Sequence, residues 1–387
     1  MNHEQLLAYI SKVIDEIVLS VANTDDLLND KKKAALIQSI MEALDRIGLS
    51  ITQNMPDIIN NSYSEGMSEA TAALQEVVTA SQQITSALTV VEAGAVAQTS
   101  ELILKAIESK PTKVQKRIHL EAVSNIVDDS LLDLGAAVRT ARNNASVTIN
   151  DTLEAVKSDL VKGLLVGDTN KVITKRVAES FVKDGLTSFV TKPDKNGKSR
   201  KLPLDFYART VVNTKIRQAH TNGASNRYQE AGVGLVQIST SQNTCAECAR
   251  YEGKVISLTG EHEGFKSDGD GIVRLPPYHP NCRHNTYPYV LEFKTPEEIQ
   301  QEKDKWRSFK TDKDTRSKKQ KQEYEKEQSI RRKANEEKKQ FARYKMALGQ
   351  DAPKTLGAFR RMKRSNSVKY QELQAEYKRI MREDVIG

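Results

Sequence analysis

Apolar residues recur at steps of three and four along much of the chain, and this spacing predicts helices. The first such stripe begins at Leu6 and continues to Ile17. A second helix is predicted over residues 30–48 and a third over residues 64–87. Because a proline inside a helix removes a hydrogen bond and clashes with the preceding turn, Pro56 is expected to lie between these two helices.

The middle of the chain continues the helical pattern with shorter elements. Residues 113–162 carry an apolar stripe that predicts a further helix. A short helix is predicted to end at Phe181, with its free amide groups capped by Asp168 or Thr169. A later helix is predicted to end near Gly232, where glycine can adopt the left-handed conformation that terminates helices.

Strand character appears in three places. The Asn-Gly pair at 196–197 lies between extended segments and readily takes the positive φ of a hairpin turn. Residues 235–239 alternate like a strand, and residues 251–258 predict a hairpin that turns at Gly253. The Gly- and acid-rich segment 260–271 predicts an exposed, mobile loop.

Together these patterns predict a mainly α protein with a small α+β domain. The predicted division is a helical N-terminal arm over residues 1–112, a central domain over residues 113–295 and a tail over residues 296–387. The central domain is predicted to contain β-hairpins and a Cys/His zinc knuckle at residues 245–284. The tail is predicted to be an extended, charged helical segment. A chain of 387 residues is long enough for two or three such units.

Charge is distributed unevenly along the chain. Residues 301–387 hold 26 Lys/Arg against 14 Asp/Glu, which leaves 33 against 37 in the remainder. A basic tail on a mildly acidic body suggests a polyanion or an acidic protein surface as partner, although interspersed Lys and Glu also fit a solvated helix. The apolar stretch at 14–21 is interrupted by Asp15 and Glu16, so no membrane partner and no secretion leader are predicted.

The three cysteines of the chain, Cys245, Cys248 and Cys282, lie close together in the sequence. An odd number of clustered cysteines favours metal binding or reduced thiols over a disulfide framework. Two thiolates separated by two residues can bind one tetrahedral zinc ion, and Cys282 would supply a third ligand. His279 and His284 flank Cys282 and compete for the fourth position.

A zinc ion with four protein ligands has no open position for water, so one structural Zn²⁺ is predicted and catalysis is not implied. The chain has no Walker-type phosphate loop, no nucleophile elbow and no zinc-protease His-Glu spacing. His119, His220 and His262 have no partner that the sequence identifies, and none is predicted to act in a site. The sequence therefore predicts a protein that is not an enzyme.

The order of motifs resembles that of the minor head proteins of tailed bacteriophages, a group that includes minor capsid, head morphogenesis and Mu F-like proteins. The resemblance covers about residues 114–387. Members of that family often have Cys at the last position, where this chain has a histidine that can also bind metal. The matching motifs here are Asn226-Arg227, Glu230-Ala231-Gly232, Cys245-Ala246-Glu247-Cys248, Gly253-Lys254-Val255-Ile256-Ser257 and Pro276-Pro277-Tyr278-His279-Pro280-Asn281-Cys282-Arg283-His284.

The resemblance implies a virion protein in the capsid interior or at the portal vertex, present in the host cytoplasm during assembly. It implies a role in head morphogenesis or DNA ejection, with portal, capsid or scaffold protein as partner and nonspecific DNA contact through the basic tail. The sequence is also compatible with two other classes of function. The tail also suits a zinc-knuckle nucleic-acid-binding protein. A toxin or nuclease enzyme would need a catalytic domain, and nothing after Pro296 resembles one.

Overall fold

The computed structural model describes residues 1–84, 89–161, 169–193, 196–267, 269, 273–310, 313–348 and 351–386. These residues are mainly helical and form two small sheets, which confirms the predicted fold class. Among them, no helix has both the length and the apolarity that crossing a membrane requires. The α-helices of the described residues are α1 (His3–Asn23), α2 (Asp30–Ile84), α3 (Val90–Glu108), α4 (Lys113–Val161), α5 (Thr169–Ser180), α6 (Leu204–Glu230), α7 (Pro296–Arg307), α8 (Lys318–Leu348), α9 (Leu356–Arg364) and α10 (Val368–Ile386).

The chain divides into two compact units, each assembled from stretches that are distant in sequence. The first unit contains Met1–Gln53, Asp133–Arg209 and Gln328–Gly387, and the second contains Asn54–Leu132 and Thr210–Glu327. The division into arm, central domain and tail instead follows the order of the chain. That division stays a prediction about segments that fold together.

Helix α2 continues through Pro56, where the sequence predicted two separate helices. Buried Ile51, Met55 and Ile58 carry the apolar spacing across the proline. An interior proline costs about 3 kcal/mol, whereas burying one large apolar side chain contributes about 1.5–3 kcal/mol. The prediction of a break was wrong because burial on both sides of Pro56 outweighs the lost hydrogen bond.

The first sheet is the predicted hairpin of β1 (Thr187–Val190) and β2 (Lys201–Pro203), which pair antiparallel. Gly197 lies between them with φ of 74°, the left-handed conformation expected of the Asn-Gly pair. Asp194 and Lys195, and also the predicted cap residue Asp168, lie outside the described residues.

The second sheet has the strand order β5-β4-β3-β6, with β3 at Leu235–Ile238, β4 at Val255–Ser257, β5 at Lys266–Ser267 and β6 at Thr286–Pro288. Strand β3 pairs antiparallel with both β4 and β6, and β4 pairs parallel with β5. The hairpin predicted over residues 251–258 was wrong in its pairing. Only its second strand forms, as β4. The turn at Gly253 directs the chain alongside β3, so β4 pairs with β3 and not with residues 251–253.

The segment predicted as a mobile loop is partly ordered. Phe265 is buried, and Lys266 and Ser267 form β5 against β4. The prediction of an exposed loop was therefore wrong at Phe265, whose burial holds this stretch against the sheet. Lys266 is exposed, as predicted, but it lies in a strand and not in a loop. Asp268 and residues 270–272 lie outside the described residues.

The core of the second unit joins this sheet to the surrounding helices. Trp306 of α7 is buried, and its indole N–H donates to the backbone oxygen of Val255 at 2.6 Å. Tyr251 and Tyr278 stack with ring centroids 4.4 Å apart. These contacts pack the loops at 245–251 and 278–284 against the same core.

The C-terminal residues of the first unit have a small aromatic core of their own. Phe359 of α9 is fully buried, and the rings of Tyr344 and Tyr370 lie edge-on to it at centroid distances of 5.5 and 5.8 Å. Edge-to-face pairs at this spacing are favourable beyond the area they bury. The tail is therefore helical, as predicted, and it also has a packed core that its charged composition did not indicate.

Helices α2 and α6 approach each other closely within the second unit. A Cβ atom at Gly66 would overlap the carbonyl oxygen of His220, and a Cβ atom at Gly223 would overlap that of Tyr63. Because both obstructing atoms are backbone, no side-chain rotation could relieve the overlap. Glycine at these two positions is what allows the helix axes to come so near.

We predict that Gly66→Ala and Gly223→Ala each lower the free energy of unfolding by about 1–3 kcal/mol, the range typical of overpacked cores. Gly94→Ala is the matched control, because it lies in helix α3 with open space around the added Cβ. That variant should instead gain about 0.5–1 kcal/mol, since alanine favours helix over glycine. Urea denaturation checks all three, and equal stabilisation in all three would contradict the close approach.

Candidate metal centre

Two cysteines lie at one end of the second sheet, in the turns that follow β3. Cys248 begins a short 3₁₀ helix, and its amide N–H donates to the Sγ of Cys245 at 3.3 Å. This local turn brings both thiols to the same side of the chain. Such an arrangement is typical of one half of a zinc knuckle.

The second half of the centre precedes β6. The amide of Cys282 donates to the carbonyl oxygen of His279 at 3.0 Å, and Asn281 between them has φ of 69°. Asparagine tolerates this left-handed conformation better than most residues, so the chain can reverse here. Because β3 and β6 are antiparallel, the residues after β3 and those before β6 meet at the same end of the sheet.

The structure brings all five predicted site residues together. Nε2 of His279 lies 3.1 Å from Sγ of Cys245 and 3.0 Å from Sγ of Cys248. Sγ of Cys248 lies 3.8 Å from Sγ of Cys282, which is 3.6 Å from Nδ1 of His284. The five residues thus form two groups of three that share Cys248, and the donor atoms within each group lie within 4.8 Å of one another.

Two of these separations match those between ligands of a small tetrahedral metal ion. Zinc–sulfur and zinc–nitrogen bond lengths imply about 3.8 Å between two sulfur ligands and about 3.6 Å between a sulfur and a nitrogen ligand. The pair Cys248–Cys282 and the pair Cys282–His284 have these spacings at 3.8 and 3.6 Å. The cluster therefore contains Cys and His groups that could hold a metal ion.

Hydrogen bonding within the cluster favours thiolates. The hydrogen bond from Cys248, with a further one from His279, lowers the pKa of Cys245 to about 3. The hydrogen bonds from Cys248 and His284 lower the pKa of Cys282 to about 3, against the opposing effect of burial. The pKa of Cys248 is raised, because its hydrogen bonds to both neighbours favour its protonated form. Two thiolates, the form that binds metal, are thus already favoured.

Both histidines of the cluster are stabilised in their charged form when no ion is bound. The hydrogen bond to Cys245 raises the pKa of His279 to about 9, although burial opposes this shift. Burial lowers the pKa of His284, but hydrogen bonds to Cys282 and Glu252 outweigh it and raise the pKa to about 9. A histidine that binds a metal must lose this proton, so metal binding here would release protons and weaken as pH falls.

Glu252 is a site residue that the sequence analysis did not identify. Its Oε1 lies 2.6 Å from Nε2 of His284, and both side chains are more than nine-tenths buried. Sequence reasoning had no signal for it, because Glu252 lies 32 positions from His284 in the chain. A carboxylate on the far nitrogen is the usual outer partner of a metal-binding histidine.

Three further histidines, His119, His220 and His262, have structural partners. His220 pairs with Glu69 at 2.9 Å, and Nδ1 of His262 lies 3.2 Å from Oγ of Ser257. These contacts do not join the Cys/His cluster, and the absence of a site role for these histidines stays a prediction.

His119 connects three helices of the second unit. Its Nδ1 lies 2.7 Å from Oη of Tyr63, and its Nε2 lies 2.7 Å from Oε1 of Glu230. Asn226 donates to the same tyrosine at 2.6 Å, and Arg227 pairs with Glu230 at 3.1 Å. The Asn-Arg and Glu-Ala-Gly motifs therefore have a physical role, which is to satisfy a buried polar network between α2, α4 and α6.

The fold and the cluster together define a helical protein with a small sheet that carries a Cys/His centre. The model of one protein family, phage minor capsid protein 2, matches residues 32–355. The chain belongs to this family of structural phage capsid proteins. The predicted resemblance is thereby confirmed at the level of phage minor capsid proteins, while the Mu F-like subgroup stays a prediction. Neither curated proteins nor solved structures gave a match.

Proposed function

We propose that the protein is a structural, non-enzymatic minor head protein that acts in capsid and head morphogenesis of a tailed phage, at or near the portal. The observation that supports this most strongly is the family match, which extends over residues 32–355 and includes the whole Cys/His cluster. Portal, capsid or scaffold protein would be its partner. Its location would be the virion, either inside the capsid or at the portal vertex.

We predict that the protein is found in purified virions of the phage that encodes it, in far fewer copies than the major capsid protein. A nonsense mutation early in its gene should yield defective heads that regain infectivity when the protein is supplied from a plasmid. Mass spectrometry of virions and electron microscopy of heads check this. Normal infectious particles that lack the protein would contradict the proposed role.

We further propose that the cluster binds one structural Zn²⁺ through Cys245, Cys248 and Cys282, with His279 or His284 as fourth ligand. Sulfur-rich tetrahedral sites are typical of structural zinc. The ion would join two stretches of chain, one that precedes β4 and β5 in the sequence and one that follows them. Structural zinc sites contribute on the order of 10 kcal/mol to folding, which would suit loops that have little regular structure.

We predict one zinc per chain in protein purified without chelator, and its loss in Cys282→Ser. This substitution removes one of the three thiolates of the proposed site, so zinc affinity should fall by orders of magnitude. His262→Gln is the control, because His262 lies in the same unit but bonds to Ser257. Elemental mass spectrometry measures the metal. A Cys282→Ser protein with full zinc content and unchanged stability would refute the site.

The basic C-terminal residues support contact with packaged DNA. Between residues 352 and 371 the sequence contains six Lys or Arg and no Asp or Glu. Four of these side chains are exposed: Lys354, Arg361, Arg364 and Lys369. In contrast to the mixed charges of α8, this patch is not neutralised by acidic neighbours within its own stretch, so it suits a phosphate backbone.

We predict that the protein binds duplex DNA without sequence preference and that affinity falls steeply as salt rises, because bound phosphates release counterions. Arg361→Glu with Arg364→Glu should reduce both the affinity and the slope against salt. Lys110→Glu with Lys113→Glu changes net charge equally at another exposed place and serves as control. Fluorescence anisotropy measures binding. An equal effect of both pairs would argue against a local patch, and sequence-specific binding would favour a nucleic-acid-binding regulator.

A further inference from the structure

The beginning of α8 and the residues just before it lie against the Cys/His centre. Oγ1 of Thr315 donates to the backbone oxygen of Ala249 at 2.8 Å, and Nε2 of Gln320 donates to that of Ser241 at 3.1 Å. Glu327 accepts hydrogen bonds from Arg283, at 3.0 Å, and from Asn243. Both halves of the centre therefore contact residues 315–327.

Glu252 lies between the centre and α8. Its Oε1 accepts from the backbone N–H of Ser241 at 3.0 Å in addition to the contact with His284 at 2.6 Å. Its Oε2 lies 3.5 Å from Nε2 of Gln320. Burying a carboxylate costs free energy unless it is hydrogen-bonded. The position of Glu252 therefore depends on these partners, and the positions of the partners depend on Glu252.

The two candidate histidines differ in their spacing from the thiols. His279 lies 3.0 and 3.1 Å from two sulfur atoms, closer than the roughly 3.6 Å that separates sulfur and nitrogen ligands of one zinc ion. His284 lies 3.6 Å from Sγ of Cys282 and is buried, whereas His279 is partly exposed. His284 also has a carboxylate on its far nitrogen.

We propose that Glu252 is a positioning residue that holds His284 as the fourth metal ligand and thereby couples metal binding to the docking of residues 315–327. The inference rests on the proposed zinc site. If His284 held the metal through Nδ1, its Nε2–H would donate to Glu252. Glu252 also accepts from the N–H of Ser241, whose carbonyl oxygen accepts from Gln320. Because coupling of two equilibria is reciprocal, docking of residues 315–327 strengthens metal binding by the same factor that metal binding strengthens docking.

The first test measures metal affinity by competition with a chromophoric chelator. Glu252→Gln should lower affinity about 10- to 100-fold, the usual effect of removing such an outer partner. Glu247→Gln is the matched control, because Glu247 adjoins Cys248 in sequence but pairs with the exposed Arg274 at 3.1 Å. Equal affinity of the Glu252→Gln and Glu247→Gln proteins would overturn the proposal.

Testing Glu252→Gln in a second variant distinguishes a role in orienting His284 from a general contribution to fold stability. In His284→Cys, a thiolate replaces the imidazole and has no far nitrogen to be oriented. Glu252→Gln should then leave the affinity unchanged, and the cobalt-substituted protein should gain a fourth sulfur-to-metal absorption contribution. His279→Gln should keep the metal. Loss of metal in His279→Gln but not in His284→Gln, or an equal effect of Glu252→Gln in both backgrounds, would overturn the assignment.

Hydrogen exchange of the full chain tests the coupling to α8. Chelation of the metal should speed exchange in peptides that cover residues 313–327, and Gln320→Ala should do so while the metal remains bound. Suppose that the wild type binds zinc and that removing the zinc does not change hydrogen exchange at residues 313–327. This result would overturn the coupling but would not contradict the zinc site. A wild-type protein with no metal would overturn both.

Discussion

The antiparallel pairing of β3 with β6 is the constraint on which the centre depends. These strands are far apart in the chain, yet their register places Ile238 opposite Thr286. Cys245 and Cys248 follow the first strand, and His279 to His284 precede the second. The sheet therefore supplies the closure that brings two halves of a Cys/His cluster together, and a bound ion would stabilise that closure in return.

Hydrogen-bonded polar groups within the second unit also join segments that are distant in the sequence. The network of Tyr63, His119, Asn226, Arg227 and Glu230 links α2, α4 and α6, and Arg227 also donates to the carbonyl oxygen of Ile107 at the end of α3. Buried polar groups cost free energy unless each has a partner, so such a network fixes one arrangement of helices rather than several. The close approach at Gly66 and Gly223 requires that single arrangement.

The Cys/His centre and the basic C-terminal stretch belong to different units of this capsid protein. The Cys/His centre would hold a loop-rich region in one conformation, and α7 packs on the sheet through Trp306. The basic stretch between residues 352 and 371 lies on helices that pack around Phe359. The basic surface for which we propose contact with phosphate would thus belong to a folded set of helices, whereas composition alone described that region only as a charged tail.

Features that depend on neighbours along the chain could be predicted from the residues alone. Apolar spacing specified most helices, Asn196-Gly197 specified the first hairpin, and the Cys-x-x-Cys motif with the later His-Pro-Asn-Cys-Arg-His run specified the candidate metal residues. Each is a local pattern, because helix faces, turn conformations and ligand spacing are set within a few residues. The family resemblance was carried by the same local motifs.

Features that depend on residues distant in sequence became evident in the folded chain. Burial kept α2 continuous through Pro56, β3 rather than residues 251–253 became the partner of β4, and Phe265 drew part of a polar loop into a strand. The contact of Glu252 with His284 and the aromatic core around Phe359 follow from chain folding that no local pattern encodes. The physical reason is that burial and hydrogen-bond satisfaction are settled by the whole set of neighbours in space, and these override local preference wherever the two conflict.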